Sequence, residues 1–347
     1  MIPFNLILLP SVFSLLFAVC LTSPLNAQYT NLVFEGAGIR GIAYAGVIRA
    51  LEEEKMLKDV ERVAGTSAGA IAALTVSLGY SSRQIEKIIY DTKIQKFNDG
   101  RFLFIGGISR VNRHYGWYRG KSFTKWLEKI ISDKTGDADL TFAGMHARGF
   151  PDLFVTGTSL NNQKLVVFSF ETYPSMKVKD AVRISMSIPL YFEAVCIDST
   201  GKVVDPKKAR DPYDIVVDGG FTGNFPIFVF DSLASGSGSD RIPHRSTLGF
   251  RIDTPPQIAY DSLNPGALAP VPVNKFSNYV GALYNYVLEN LNRSTLTKAD
   301  WDRTVSISSG SIGPKIRKLS IREKNMLIEN GQIATQDFMR RNAIVRD

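Results

Sequence analysis

Between Tyr29 and Leu78 the chain passes twice through the same succession: short apolar run, glycine-rich turn, helically spaced apolar residues. Asn31-Leu-Val-Phe34 leads into Gly36-Ala-Gly-Ile-Arg-Gly41 and then into Ile42 to Glu54, where Tyr44, Val47, Ile48 and Leu51 recur at helical spacing. The run Val60 to Ala64 leads into Gly65-Thr-Ser-Ala-Gly69, and Ala70 to Leu78 reads as a second apolar helix. Two such units in succession predict an α/β fold, because each helix must bury its apolar side on a parallel or mostly parallel sheet.

The rest of the chain is less regular. Ser122 to Ser132 predicts a surface helix with Ser122 as its cap and Phe123, Trp126, Leu127 and Ile130 along one face. Strands are expected at Asp152–Thr158, Lys164–Ser169 and Ile215–Val217. Phe97 to Tyr118 has no clear period and reads either as a flap or as irregular packed structure. Ser232 to Ser239 and Pro255 to Pro272 have loop compositions. Helices return at Lys275–Leu291 and Ile321–Met339; in the first, the stripe Phe276, Val280, Leu283 and Val287 reads as core-facing rather than membrane-binding. No internal repeat or linker divides residues 28–347, which are expected to form one domain.

Met1 to Ser23 is nearly all apolar, and Ser23-Pro-Leu-Asn-Ala27 before Gln28 is similar to a signal-peptide cleavage region. The segment lacks a charged start and places Leu25 where cleavage usually finds a small residue; its length also suits an uncleaved anchor. Cys20 follows Val19, a bulkier residue than lipoprotein processing usually accepts. Residues 1–27 are therefore expected to be a signal peptide or membrane anchor, and the protein exported or membrane-associated; it would be cytoplasmic if the segment is not a signal. Removal of that segment leaves Cys196 alone, a residue expected to pack rather than react. The formal net charge is +8, none of it from residues 1–27; it favours anionic surfaces but reads first as an ordinary basic solvated surface, and charge alone decides nothing. No dense basic block, zinc-knuckle spacing or RNA-binding signature points to nucleic acid.

Gly65-Thr66-Ser67-Ala68-Gly69 has the form G-x-S-x-G between a strand and a helix, which holds a serine on a sharp bend where its neighbours must be small. The helix beyond Ser67 also turns its positive end toward developing negative charge. A serine hydroxyl needs a base. None of the three histidines, His114, His146 and His244, lies in a motif of that kind. Asp218 does, closing the apolar run Ile215-Val-Val before Gly219 and Gly220, although Asp-Gly alone is equally a turn former. Gly36, Ala37, Gly38, Ile39, Arg40 and Gly41 form a turn whose amides suit an oxyanion, at about 3 kcal/mol per donor. The same spacing is formally a dinucleotide fingerprint. That alternative expects an acidic residue closing the second strand, where this chain has Gly65-Thr-Ser-Ala-Gly69.

In this order the glycine turn, serine turn and Asp-Gly-Gly resemble the patatin-like phospholipase family over most of the chain. Further matches are Gly116-Trp-Tyr-Arg-Gly120 before the helix with Trp126, and Ala181-Val-Arg-Ile-Ser-Met-Ser-Ile-Pro189 with Phe192. Asn224 and Pro226 behind Asp218 match as well. Glu35-Gly-Ala-Gly departs from the family, where many members carry an Asp and an unbroken glycine run. The resemblance implies a three-layer α/β/α fold with a mostly parallel central sheet. It also implies a Ser67–Asp218 dyad using neither histidine, metal nor cofactor, an oxyanion loop at 36–41 and a lipid or membrane-surface substrate, for which the net charge favours an anionic one. Arg40 would orient the loop, meet a phosphate or form a structural salt bridge. Oligomeric state has no signature. Two other readings stay open: an α/β-hydrolase using Ser67, Asp218 and His244, and a non-catalytic lipid-binding protein on the same fold.

Overall fold

The computed structural model describes residues 29–100, 105–233 and 241–344. The expected signal segment, residues 1–27, and most of the expected loop at 232–239 lie outside them.

Eight strands form the main sheet: β1 (Asn31–Phe34), β2 (Arg62–Gly65), β3 (Asp152–Ser159), β4 (Lys164–Phe168), β5 (Val195–Ile197), β6 (Asp214–Asp218), β7 (Thr247–Asp253) and β8 (Thr304–Ser308). Their order is β8-β7-β1-β2-β3-β6-β5, with β4 also paired to β3. The five strands from β8 to β3 are parallel, whereas β4 and β6 pair with β3, and β5 with β6, in antiparallel fashion. All four residues of β1 are buried, as a central parallel strand covered on both faces requires.

Alternation along these strands feeds two cores. Leu32, Phe34, Val63, Leu153 and Val155 join the larger core. It is covered by helices α1 (Tyr44–Glu53), α2 (Ala68–Ser77) and the C-terminal helix Ile321–Ile344. Val33, Ala64 and Phe154 point the other way, against Phe225, Ile227 and Phe230. Helices thus pack on a mostly parallel sheet in a three-layer α/β/α arrangement.

Register puts three chain segments at one height. Phe34 of β1 pairs with Gly65 of β2, so Gly36 and Ser67 both lie two residues past the carboxyl ends of adjacent parallel strands. Gly65 also pairs with Val155 of β3, and two residues on Gly157 pairs with Asp218 of β6. Asp218 is therefore held roughly 6–7 Å beyond the end of β2, measured along β3. Open α/β sheets place their ligands at such strand ends.

Several expectations need correction. Phe97 to Tyr118 contains a helix, α4 (Ile105–His114), and the short strand Gly116–Tyr118. Ser122 does not cap the next helix, α5 (Lys121–Thr135): the amides of Gly120, just before the helix, and of Ser122 donate to the Asp99 carboxylate at 2.7 and 2.8 Å. Pro255–Asp261 is helical rather than loop, with Pro at the positions a first helical turn accepts. On helix Phe276–Arg293 the side chains of Phe276, Val280 and Leu283 are exposed, so the stripe does not face the core. Val287 lies outside the described side chains. Among the described residues no helix is long and apolar enough to cross a membrane.

Candidate active site

Gly65 ends β2 and Ala68 begins α2, so the chain reverses within two residues. Ser67 takes up that turn at φ 53° and ψ −122°, a conformation costing a non-glycine residue on the order of 1–3 kcal/mol. A Cβ on Gly65 would lie 2.2 Å from the Gly69 carbonyl oxygen, and one on Gly69 would lie 2.2 Å from that of Phe34. Thr66 Oγ1 sits 2.6 Å from Thr156 Oγ1 and donates to the Gly223 carbonyl at 2.8 Å, pinning the turn from below. The Ser67 amide donates to Ser185 Oγ at 2.8 Å, and its hydroxyl lies 3.5 Å from Met186 Sδ.

Asp218 is buried, with 5% of its surface exposed. Its amide donates to the Ser187 carbonyl at 3.0 Å, and its carbonyl accepts the Thr158 hydroxyl at 2.9 Å. Burial pushes its carboxyl up to about 7, against the hydrogen bond of the Gly220 amide at 2.8 Å and the lowering influence of the nearby Ser67 hydroxyl. A carboxylate destabilised by desolvation is a stronger base than one in water, and this one has a hydroxyl beside it. Gly219 is confined because a Cβ there would meet Thr156 Oγ1 at 2.3 Å.

The loop 36–41 lies against the serine turn: a Cβ on Gly36 would approach Ser67 Cβ to 3.3 Å, and one on Gly41 would approach Ala68 Cβ to 2.7 Å. Gly38 has φ +55°, and a Cβ there would lie 2.2 Å from the Pro314 carbonyl oxygen. The amide of Gly36 donates to Asn224 O at 2.9 Å, Ile39 to Pro314 O at 3.3 Å, and Arg40 to Ala37 O at 3.2 Å. Among the described residues, the amides of Ala37 and Gly38 have no backbone acceptor, which makes them the available donors. Arg40 Nε donates to Ala37 O at 3.2 Å and makes no salt bridge among the described residues, so Arg40 clasps its own loop.

Beneath the loop is a buried charge network. Arg251, on β7, lies 2.9 Å from Glu35 Oε1 and 3.5 Å from Asp253, while Arg293 lies 2.7 Å from Asp253 and 2.6 Å from Asp261. Burial raises the Glu35 carboxyl against the pull of Arg251. Glu35 Oε2 also accepts the Ile252 amide at 3.1 Å, tying the residue before the loop to β7.

A cavity of about 150 Å³ is lined in part by Ser67. Ile42, Ile71, Ile88, Phe97, Phe123 and Trp126 also line it, and its lining is mainly apolar. An apolar lining of this kind suits an alkyl chain better than a polar group.

Ser67, Asp218 and the loop 36–41 thus come together, whereas His244 lies elsewhere. Its ring nitrogens are 3.1 Å from Asn31 Nδ2 and 3.4 Å from Arg62 Nη2, at the amino ends of β1 and β2, opposite Ser67. A Ser67–Asp218–His244 triad does not form. His146 stacks on Phe170 and pairs with Asp152 at 2.9 Å. Cys196 is buried. Among the described residues no group of three or more His, Cys, Asp or Glu is placed to hold a metal ion.

Sequence reading missed the supports. Ser185 and Ser187 were visible only as part of a family-like segment, yet that segment runs between Ser67 and Asp218. Asn292 accepts the Asn224 amide at 2.7 Å and donates to the Gly220 carbonyl at 3.1 Å, from a helix with no local motif.

A model of the family described as patatin-like phospholipase matches residues 32–231. The chain is 33% identical over 214 residues to the uncharacterized protein YqhO of Bacillus subtilis, covering 58% of this chain and 67% of that one. It is 23% identical over 201 residues to the probable lipid hydrolase 463L of Invertebrate iridescent virus 6, covering 57% of this chain and 62% of that one. Among solved structures, VipD from Legionella pneumophila superposes with a TM-score of 0.53 at 16% identity, over 90% of this chain and 67% of that one, which is a likeness of fold.

Proposed function

The chain belongs to the patatin-like phospholipase family, and from that premise we propose that it hydrolyses fatty-acyl esters of phospholipids or related lipids through a Ser67–Asp218 dyad. The observation that carries the reading is the buried Asp218 carboxyl against the Ser67 hydroxyl at the mouth of an apolar channel.

In this mechanism Asp218 takes the proton as Ser67 Oγ bonds to the ester carbonyl carbon. Negative charge gathers on the carbonyl oxygen, where the Ala37 and Gly38 amides and the amino end of α2 receive it. Collapse breaks the ester C–O bond, and the alcohol departs with the proton from Asp218. Water then attacks the acyl-Ser67 ester, giving its proton to Asp218. The fatty acid leaves, and the proton returns to Ser67. The acyl chain occupies the channel lined by Ile71 and Trp126.

The test is hydrolysis of a soluble short-chain ester and of phospholipid vesicles by wild type, Ser67→Ala and Asp218→Ala, each checked for folding. Activity in wild type alone supports the dyad. Full activity in folded Ser67→Ala removes it.

A further inference from the structure

A second concavity, a groove of about 930 Å³, lies between helix α3 (Ser82–Asp91) and α5. Six lysines line it, Lys87, Lys93, Lys96, Lys125, Lys129 and Lys134, against the two acids Asp91 and Asp133. Lys87 and Lys129 pair with those acids at 2.6 and 2.7 Å through side chains that are all at least half exposed. Such pairs are weak and readily exchanged for another anion. The ammonium groups of Lys93, Lys96 and Lys125 make no hydrogen bond or ion pair among the described residues. Their charge is uncompensated at one place on the surface.

Ile88, Phe97, Trp126 and Ile130 also line the groove, so its polar rim surrounds an apolar floor. Ile88, Thr92, Phe97 and Trp126 line the channel from Ser67 as well, so the two spaces share a wall. Trp126 stacks on Phe123 at 5.7 Å, meets Phe97 edge-on at 5.6 Å, and donates to Thr92 Oγ1 at 3.1 Å. The aromatic faces are engaged with one another rather than free for nucleobases to stack on.

We propose that this groove binds the phosphate headgroups of an anionic phospholipid bilayer and holds the protein on the surface from which the acyl channel fills. The inference rests on the reading that the chain acts on lipid acyl esters. It adds a headgroup site whose lining does not include Ser67. Clustered lysines suit phosphate oxygens, and the apolar floor suits the proximal part of an acyl chain.

The test is sedimentation of Ser67→Ala protein with vesicles of phosphatidylcholine alone or mixed with phosphatidylglycerol. Mixed vesicles are expected to retain the protein, less so at high salt, and neutral vesicles to release it. Replacing Lys93, Lys96 and Lys125 together by Ala is expected to weaken retention roughly a hundredfold, and replacement by Arg to preserve it. In the Ser67-intact background the Ala variant is expected to hydrolyse a soluble ester like wild type and vesicles far more slowly. Undiminished vesicle binding by the folded Ala variant overturns the proposal. So does equal, lysine-dependent binding to duplex DNA, which would make the groove a general polyanion site. If wild type hydrolyses no ester while lysine-dependent vesicle binding persists, the catalytic reading fails and the groove stands.

Discussion

Asn224 and Gly36 exchange two hydrogen bonds across the sheet end: the Gly36 amide donates to Asn224 O at 2.9 Å, and Asn224 Nδ2 donates to Gly36 O at 3.0 Å. The pair joins the loop after β1 to the turn that follows Asp218, although 188 residues separate them. A Cβ on Gly36 would come within 2.2 Å of Asn224 Oδ1, so the contact tolerates no side chain there. Asn224→Ala leaves the buried Gly36 carbonyl without its side-chain donor and is expected to cost about 1–3 kcal/mol of stability. It is also expected to lower kcat more than tenfold while KM changes little. Urea denaturation and steady-state kinetics on one preparation check both.

The raised Asp218 carboxyl sets a pH dependence. Acting as a base, Asp218 must be ionised, so kcat/KM on a soluble ester is expected to rise through about pH 7 and level off above it. Stability moves in the opposite sense. Because the folded pKa lies near 7 and the ordinary value at 3.8, the folded state binds the proton more tightly and loses stability as pH rises between them. The loss attributable to this group is on the order of 4 kcal/mol. Asp218→Asn, which cannot ionise, is expected to melt higher than wild type at about pH 8 and alike below about pH 4. Melting curves at both ends measure the difference.

Gly38 is held at φ +55° against the Pro314 carbonyl, and its amide, like that of Ala37, has no backbone acceptor among the described residues. Gly38→Ala both strains the backbone and pushes the loop off Pro314. One misplaced oxyanion donor is expected to reduce kcat on the order of a hundredfold. The far-ultraviolet spectrum should stay that of wild type. Normal turnover by Gly38→Ala would place the oxyanion elsewhere.

Ile71 lines the apolar channel from the first turns of α2. Ile71→Trp is expected to fill it and shift preference toward short acyl chains, leaving short-chain ester hydrolysis within about threefold of wild type. A series of p-nitrophenyl esters of increasing chain length reads the shift. An unchanged chain-length profile would mean the acyl group lies outside the channel.

Much of this was legible locally. Gly65 to Gly69, Gly36 to Gly41 and Asp218 to Gly220 announce themselves because tight turns restrict residue type, and turns are written in adjacent residues. The strands β1 and β3 were visible as apolar runs with turn residues at their ends. What escaped depends on partners distant in sequence. β7 was hidden by Arg251, which is fully buried yet charged because Glu35 and Asp253 await it. Asn292 and Pro314 support the site through contacts with Asn224, Gly220 and the loop at Gly38, which no local pattern foretells. The apolar stripe at Phe276, Val280 and Leu283 has the period of a buried face, but period alone does not say what covers it.

The most direct measurement is covalent labelling of the folded full chain by a fluorophosphonate, followed by mass spectrometry of the labelled peptide. The account predicts one adduct, on Ser67, formed quickly by wild type and at least a hundredfold more slowly by folded Asp218→Asn. An adduct on another serine, or equal labelling rates in the two proteins, would contradict it.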